Sequence, residues 1–290
     1  MKRLVIAVGA AVAALLVVTA GDAWIAASVP NVAVLAHRVP ARTALMRQRA
    51  EEARAAGRTA RIDQRWVPYE RISPMLRGAV LIAEDDAFFS HGGLDWGEMR
   101  ASMKKNVEAG HIVRGGSTIT QQLARNLFLG NRRTLSRKLS EILLARRLEA
   151  ALTKRRIFEL YLNLIEWGDG VYGIEAAARR RFGRSASDLD PRQSALLAAV
   201  IINPRRYDPV HPDRRIEGRA RMILTRMRGR GWINEDQYLA AIGRAPRPWF
   251  LRWLFGPGTS PSPDTATAPE IRPTPQADTT GATPDTLPGG

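Results

Sequence analysis

The sequence predicts a mainly α-helical protein with one membrane-spanning helix at its N-terminus. Helix start signals and apolar residues spaced by three or four recur along the chain, whereas clear alternation with a period of two is scarce. An uncharged apolar run covers residues 4–20. The apolar fraction of 45% over 290 residues is enough for one large domain or two small ones.

The N-terminal run has two interpretations. Its seventeen residues lie at the short end of the length that a spanning helix needs, and Lys2 and Arg3 before it place the N-terminus in the cytoplasm. An uncleaved anchor over residues 1–25 is favoured, because the apolar character continues past residue 20. The alternative is a cleaved signal peptide, since Val18-Thr19-Ala20 has the composition of a cleavage site.

Local signals divide the rest of the chain. Residues 26–65 have helical composition and are predicted to form a membrane-proximal connector, and the folded body is expected over residues 66–250. Residues 251–290 are rich in Pro, Thr and Gly without apolar periodicity, which predicts a disordered tail. Within the body we predict helices from Pro74 to Glu84, over 117–129 with a capping box at Thr118 and Gln121, over 135–152 behind Thr134, from Thr153 through Tyr161, over 174–181 after a glycine-rich break, and over 191–202 behind Pro191.

The charge composition limits the class of partner. A formal net charge of +16 indicates an anionic partner, which is a nucleic acid, an anionic membrane or a phosphorylated substrate. Residues 132–156 alone carry nine basic and two acidic side chains, a density suited to phosphates or lipid headgroups, although a solvated helix face has the same composition. The chain has no cysteine, so disulfides and thiolate metal sites are excluded.

Two glutamates are the candidates for chemistry. Glu84 ends the apolar stretch 79–83, so we expect its carboxylate to be partly desolvated and its pKa to be raised toward that of a working base. A lone glutamate there is more often a buried or capping carboxylate, but several polar and aromatic residues follow within ten positions: Asp85, Phe88 and His91. His91 by itself is best explained as a structural hydrogen-bonding residue.

Glu141 has a different neighbourhood. It lies four residues after Arg137 and three after Lys138, so on a helix the three side chains share one face. Taken alone, this is an ordinary solvated ion-pair cluster. A polar helix start precedes it in the chain, after Gly115-Gly116, and such a terminus binds anions readily; it comprises Ser117, Thr118, Gln121, Gln122 and Arg125.

Taken together, these stretches resemble the glycosyltransferase domain of peptidoglycan polymerases, the family shared by bifunctional penicillin-binding proteins and monofunctional transglycosylases. Five ordered motifs over residues 70–210 carry the resemblance: Glu84-Asp85 with Phe88, His91, Gly93 and Asp95; Gly115 to Leu123; Arg137-Lys138 with Glu141; Glu159 to Asn163 with Gly170 to Ala178; and Asn203-Pro204 with Tyr207-Asp208-Pro209. The absence of Ser-x-x-Lys with a downstream Lys-Thr-Gly favours the monofunctional type.

The resemblance implies a lysozyme-like fold with a larger lobe and a smaller, membrane-dipping lobe on either side of a cleft. The implied substrates are lipid II and the growing glycan strand. Glu84 would be the general base, and Glu141 would lie beside the leaving pyrophosphate with Arg137, Lys138 or a divalent cation; Mg²⁺ or Mn²⁺ is possible there, but no cofactor is obligatory. The implied substrate-binding residues are Asp85, Phe88, His91, Ser117, Thr118, Gln122, Arg125, Asn126, Arg137 and Lys138.

The chain departs from the family's pattern at two positions. Arg125 stands where the family usually has lysine, and both are cationic, but arginine binds phosphate as a fork. Arg181 stands before Phe182-Gly183, where an aromatic is frequent. Neither change removes a carboxylate, so only the detail of the donor site is affected.

Two other functions remain open from the sequence. One is a lysozyme-like lytic enzyme acting on finished peptidoglycan, and the other is a non-enzymatic, basic, membrane-anchored binding protein. The anchor argues against nucleic acid as the partner. We therefore expect a single-pass protein of the cytoplasmic (inner) membrane with its catalytic domain on the periplasmic or outer face, in contact with other cell-wall synthases.

Overall fold

The computed structural model describes residues 31–109, 116–131 and 135–245, together with isolated positions between residues 9 and 20. The protein is mainly helical over these ranges, as predicted. The expected anchor and the expected C-terminal tail fall largely or wholly outside the described residues. Among those that are described, no helix combines the length and the apolarity needed to cross a membrane.

The segment before residue 66 is folded against the body. After a 3₁₀ turn at Val32–Ala36 comes helix α1 (Ala44–Ala55), which starts behind the capping side chain of Thr43. Met46 of α1 is fully buried and packs with Tyr172. A two-residue strand, β1 (Asp63–Gln64), follows.

The first motif lies at the end of a buried helix. A 3₁₀ turn at Tyr69–Arg71 leads into helix α2 (Pro74–Glu84), which starts and stops at the predicted residues. A 3₁₀ turn at Phe88–Ser90 follows, and then helix α3 (Trp96–Ala109), which the sequence patterns did not predict. No hydrophobic residue of α3 belongs to the core described here, and the helix leaves large apolar side chains exposed: Trp96, Met103 and Val107.

The helix predicted over 117–129 forms in two parts. Helix α4 (Ile119–Ala124) has the predicted capping box, with Gln121 N–H donating to Thr118 Oγ1 and Thr118 N–H donating to Gln121 Oε1. It continues as a π-helical turn, Arg125–Leu129. The widened turn coincides with a hydrogen bond from Asn126 Nδ2 to the carbonyl of Gln122, 2.7 Å long.

Two long helices follow. Helix α5 (Leu135–Ala151) matches the prediction to within one residue, while its expected cap, Thr134, lies outside the described residues. Helix α6 (Lys154–Leu164) is capped by Thr153 as predicted. Helices α4, α5 and α6 pack on one another.

A small sheet forms at the glycine-rich break. Strands β2 (Glu166–Gly168) and β3 (Val171–Tyr172) are antiparallel, and β1 pairs with β3 in parallel, giving the order β1-β3-β2. Gly170 has φ +70°, and a Cβ there would lie 2.5 Å from the carbonyl oxygen of Arg61. Glycine is therefore required where the connector meets the body.

Four more helices complete the body: α7 (Ile174–Phe182), α8 (Pro191–Val200), α9 (Arg214–Gly229) and α10 (Glu235–Ala241). Helices α2, α8 and α9 form a second packed group. One continuous hydrophobic cluster joins the two groups, and its largest fully buried side chains include Trp167 and Tyr161.

Asn163 fixes the start of the body to α6. Its side chain is fully buried, accepts from Val67 N–H at 2.9 Å, and donates at 2.9 Å to the carbonyls of Val67 and Glu159. A buried amide that satisfies backbone groups in this way is costly to remove, because those groups lose their partners inside the protein.

We therefore predict that Asn163→Ala lowers the free energy of unfolding by about 2–4 kcal/mol, since the buried backbone groups of Val67 become unsatisfied. Urea denaturation followed by circular dichroism measures this change. The exposed Asn203 provides the matched control, and Asn203→Ala is expected to change stability by less than about 0.5 kcal/mol. Equal stabilities of the two variants would contradict the role given to Asn163.

Candidate active site

Glu84 lies at the end of α2 with both carboxylate oxygens held. Gln122 Nε2 donates to Oε2 at 3.0 Å, and Arg219 Nη2 donates to Oε1 at 3.0 Å. The side chain of Glu84 is only 12% exposed. The same Arg219 nitrogen also donates to the carbonyl of Ala83 at 3.2 Å, so it ties the end of α2 to α9.

The environment of Glu84 raises its pKa. Burial is the main cause because it disfavours the charged form, and it outweighs the opposing effects of the Gln122 hydrogen bond, of Arg219 and of the positive charge of Arg125. This confirms the direction predicted from the apolar stretch before Glu84. Burial, followed by the charge of Glu84, also raises the pKa of Tyr161 well above its ordinary value, so its hydroxyl stays protonated.

Tyr161 uses that proton to orient the amide of Gln122. Its hydroxyl donates to Gln122 Oε1 at 2.9 Å, which leaves the amide nitrogen of Gln122 to face Glu84. The amide therefore has one arrangement that satisfies both neighbours.

Asp85 and His91 connect the first motif to the start of α4. Asp85 accepts from the backbone N–H of Ile119 at 2.9 Å and from His91 Nε2 at 2.9 Å. Both side chains are largely buried. These contacts support the interpretation of His91 as a structural residue.

Phe88 and Thr118, which the resemblance assigns to substrate binding, are both buried. Phe88 is fully buried, with Lys154 Nζ 4.3 Å from its ring centroid. Thr118 Oγ1 donates to the carbonyl of Gly93 at 2.7 Å while it caps α4. Both residues fix the position of the motifs around Glu84.

Glu141 is buried within its ion-pair cluster. Its side chain is 1% exposed, Oε2 accepts from Arg137 Nη1 at 2.6 Å, and Oε1 accepts from Lys138 Nζ at 2.6 Å. The solvated helix face that the spacing alone suggested is therefore wrong for this residue. The carboxylate holds two cations in fixed positions.

Ser117 joins the two glutamates. Lys138 Nζ donates to Ser117 Oγ at 3.0 Å, and Gln122 Nε2 approaches the carbonyl of Ser117 at 3.5 Å while it donates to Glu84. One polar network thus runs from Glu141 to Glu84, and the two carboxylates belong to the same region of the molecule.

Arg125 and Asn126 follow Gln122 on the π turn. Arg125 adds a positive charge near Glu84, and its guanidinium makes no hydrogen bond or ion pair within the described part of the chain. Asn126 is buried and donates to the carbonyl of Gln122, so it shapes the turn that carries Arg125.

The donor set at Glu141 does not favour a metal ion. Both of its oxygens accept from cationic side chains, which would repel a divalent cation, and the side chain is only 1% exposed. Over the described ranges, no group of three or more acidic or histidine side chains has the geometry of a metal site.

The sequence patterns missed Arg219. It lies 135 positions after Glu84, in a part of the chain where no helix was predicted. A local signal was nevertheless present, because Arg219 stands at helical spacing among the buried residues Ile216, Ala220 and Ile223. A cation on the apolar face of a helix needs a buried partner.

Comparison with known proteins decides the family. Residues 50–228 match the model of the family described as Transglycosylase. The chain belongs to this family. Membership confirms the resemblance to the glycosyltransferase domain of peptidoglycan polymerases, and it shows that the protein is a glycosyltransferase.

The sequences of curated relatives align with this chain along most of their own length. The chain is 48% identical over 188 residues to "Biosynthetic peptidoglycan transglycosylase" of Nitrosomonas eutropha, an alignment that covers 65% of this chain and 77% of the relative. It is also 48% identical over 188 residues to the protein of the same name from Laribacter hongkongensis, covering 65% and 82%. Among solved structures, penicillin-binding protein 1A from Haemophilus influenzae superposes with a TM-score of 0.37 at 20% identity, over 65% of this chain and 18% of that one.

The burial of Glu141 makes a prediction about stability. We expect Glu141→Ala to lower the free energy of unfolding by about 2–4 kcal/mol, because Arg137 and Lys138 lose the buried carboxylate that pairs with them. Urea denaturation measures the loss. Glu108→Ala is the control, since Glu108 is 61% exposed and pairs with Lys104 at 3.9 Å, and it should change stability by less than about 0.5 kcal/mol. A similarly small effect at Glu141 would contradict the buried cluster.

Proposed function

We propose that this transglycosylase polymerises peptidoglycan glycan strands from lipid II by inverting transfer to the 4-hydroxyl of the acceptor sugar, with release of polyprenyl pyrophosphate. The observation that carries the proposal is the polar network that joins a buried carboxylate of raised pKa, Glu84, to a fixed group of cations around Glu141. The names of the curated relatives support the substrate class.

Glu84 acts as the general base in this proposal. It takes the proton of the acceptor 4-hydroxyl while that oxygen attacks the anomeric carbon of the growing strand, and the bond from this carbon to the pyrophosphate oxygen breaks. The raised pKa suits the task, because a base with a pKa nearer the working pH receives a proton more readily than an ordinary glutamate does. Gln122 and Arg219 keep the carboxylate in place.

The cations stabilise the leaving group. Negative charge develops on the pyrophosphate as it departs, and positively charged side chains that are already positioned stabilise it without reorganisation. Lys138 is held by Glu141 and Ser117, and Arg125 lies on the π turn near Glu84. Glu141 therefore positions cations at the donor site, which Ser117, Gln122, Arg125 and Asn126 line.

The cationic half of the site favours synthesis over degradation. A lytic enzyme also needs a carboxyl group with a raised pKa, but finished peptidoglycan offers no pyrophosphate at the cleaved bond. In a hydrolase, Lys138 and Arg125 would have no anionic leaving group to stabilise. A binding protein without catalysis would have no need of a desolvated carboxylate beside a sugar site.

The exposed side chains of helix α3 are consistent with a smaller lobe that dips into the membrane, as the lysozyme-like arrangement implies. Trp96, Met103 and Val107 are 60%, 66% and 75% exposed and recur at helical spacing, so α3 presents an apolar stripe that no described residue covers. Lys104 and Lys105 flank the stripe and complement anionic headgroups.

The same proposal places the protein at the cytoplasmic (inner) membrane, with residues 1–25 as a single-pass anchor and the body on the outer face, in contact with cell-wall synthase partners. We assign the stretch from residue 44 onward to the glycosyltransferase domain rather than to a separate connector. The reason is that α1 and β1 contact the body through buried Met46 and the pairing of Asp63 with Val171. Residues 251–290 form the tail.

We predict that Glu84→Gln reduces lipid II polymerisation by about 100- to 10,000-fold, because the amide cannot accept the acceptor's proton. Gel analysis of glycan made from labelled lipid II measures the rate. Glu235→Gln is the control, since Glu235, on α10, pairs with Arg228 and makes no contact with Glu84 or its partners among the described residues, and it should polymerise normally.

Two outcomes would contradict this assignment. Full polymerisation by Glu84→Gln would remove Glu84 as the base. Degradation of finished peptidoglycan by the wild-type protein, without consumption of lipid II, would favour the lytic hypothesis.

The apolar stripe makes a second prediction, which the absence of native cysteine makes easy to test. In the full-length protein reconstituted into vesicles, a fluorescent label on Met103→Cys is expected to be shielded from aqueous iodide, because α3 lies in the headgroup region. A label on Val210→Cys, which replaces an apolar residue that is 41% exposed elsewhere on the body, should be quenched freely. Equal quenching at both positions would rule out membrane contact by α3.

A further inference from the structure

A second charged cavity lies apart from the candidate active site. It has a volume of about 330 Å³ and lies between the end of α1, the segment 58–62, the turn at Asp169-Gly170 and the end of α7. None of the residues around Glu84 or Glu141 lines it. Six arginines do: Arg49, Arg58, Arg61, Arg180, Arg181 and Arg205.

The acidic side chains of the cavity do not neutralise this charge. Within the described part of the chain, Glu52 and Asp169 are its only acidic lining residues, and each is already paired. Glu52 accepts from Arg49 at 2.8 Å, and Asp169 accepts from Arg205 at 3.0 Å. Six positive and two negative side chains give the described lining a formal charge of +4, and two carboxylates outside the lining, Glu166 beside Arg49 and Asp208 beside Arg181, reduce it to +2.

Three of the arginines are unpaired over the ranges that the structure describes. The guanidinium groups of Arg58, Arg61 and Arg180 make no hydrogen bond or ion pair to any residue in the described part of the chain. Arg181 is bound on one side only, since Nη1 approaches Asp208 Oδ1 at 3.4 Å while its buried Nε has no partner there. Unpaired guanidinium groups that line one cavity lower their energy by binding an anion.

The backbone holds the two sides of this cavity close together. Asp63 N–H donates to the carbonyl of Gly170 at 2.8 Å, and the missing side chain of Gly170 allows Arg61 to approach. At Gly168, a Cβ would lie 3.0 Å from Arg181 Nη2, so the guanidinium packs directly on the backbone of β2. Arg181 is also the residue at which this chain departs from the aromatic frequent in its family.

We propose that this cavity is a second anion site, which binds a phosphate group outside the catalytic centre. A phosphate offers three or more oxygens in a tetrahedral arrangement, so it accepts from guanidinium groups that approach from different directions, here from segment 58–62 and from the end of α7. A carboxylate has two coplanar oxygens, which one or two forks satisfy, and would leave several of these arginines unpaired. The phosphate comes either from a soluble phosphorylated compound or from a lipid headgroup.

Hydrogen–deuterium exchange of the full-length protein reconstituted into lipid vesicles tests the proposal without requiring turnover. Inorganic pyrophosphate is the soluble probe, and phosphatidylglycerol vesicles, compared with phosphatidylcholine vesicles, are the lipid probe. We expect one of them to slow exchange in residues 58–62 of the wild-type protein. Arg58→Gln/Arg180→Gln should raise the probe concentration for half-maximal protection at least tenfold, and both side chains are exposed and unpaired, so the fold should be retained.

The controls separate this site from general charge and from the catalytic centre. Arg221→Gln/Arg226→Gln removes the same charge from exposed positions of α9 that do not line the cavity, and it should leave protection of 58–62 unchanged. Lys138→Gln weakens the pyrophosphate site of the proposed function and should also leave this protection unchanged. Protection by pyrophosphate identifies a soluble phosphate as the ligand, whereas protection by phosphatidylglycerol alone identifies a headgroup.

Three results would overturn the proposal: no protection of 58–62 by either probe, equal protection in the Arg58→Gln/Arg180→Gln variant, or loss of protection in Lys138→Gln. A failure of lipid II polymerisation would not affect any of them, because the exchange measurement reports binding at residues remote from Glu84.

Discussion

A carboxylate that is to take a proton inside a protein must be buried enough for its pKa to rise and held firmly enough to stay where it is needed. Glu84 meets both conditions, because it ends an apolar helix and both of its oxygens accept hydrogen bonds, from Gln122 and from Arg219. Removing either partner would leave a charge with too little compensation in a desolvated position. The packing of α2 against α9 is therefore part of the site as well as of the fold.

Gln122 connects Glu84 to two further helices. Its amide oxygen accepts from Tyr161 and its nitrogen donates to Glu84, so α2, α4 and α6 are fixed relative to one another by one side chain. The same nitrogen approaches Ser117, which binds Lys138 and so connects with Glu141. A buried carboxylate and a set of cations are thereby held in one network, and this is the arrangement that the proposed transfer from a pyrophosphate donor requires.

Local signals predicted the helices whose ends depend on one or two residues. Pro74, Thr118 and Thr153 start helices where the sequence indicated, because proline geometry and side-chain capping are decided within a single turn. Arg219 could not be paired with Glu84 in this way, since that contact exists only after α9 has packed on α2. For the same reason, the burial of Phe88 in the core was not visible from its motif.

The direct test of the account is the pKa of the Glu84 carboxyl group, measured by the infrared difference between the wild-type protein and Glu84→Gln as a function of pH. Burial raises the folded-state value, so we predict a midpoint above the ordinary 4.5, with the protonated acid persisting beyond that pH. As the pH rises through this midpoint, the free energy of unfolding falls, because the folded protein must hold the carboxylate in a desolvated position. The deprotonated form that the proposed transfer needs appears over the same pH range. A midpoint at or below 4.5 would contradict the central claim, because Glu84 would then be an ordinary ion-paired glutamate.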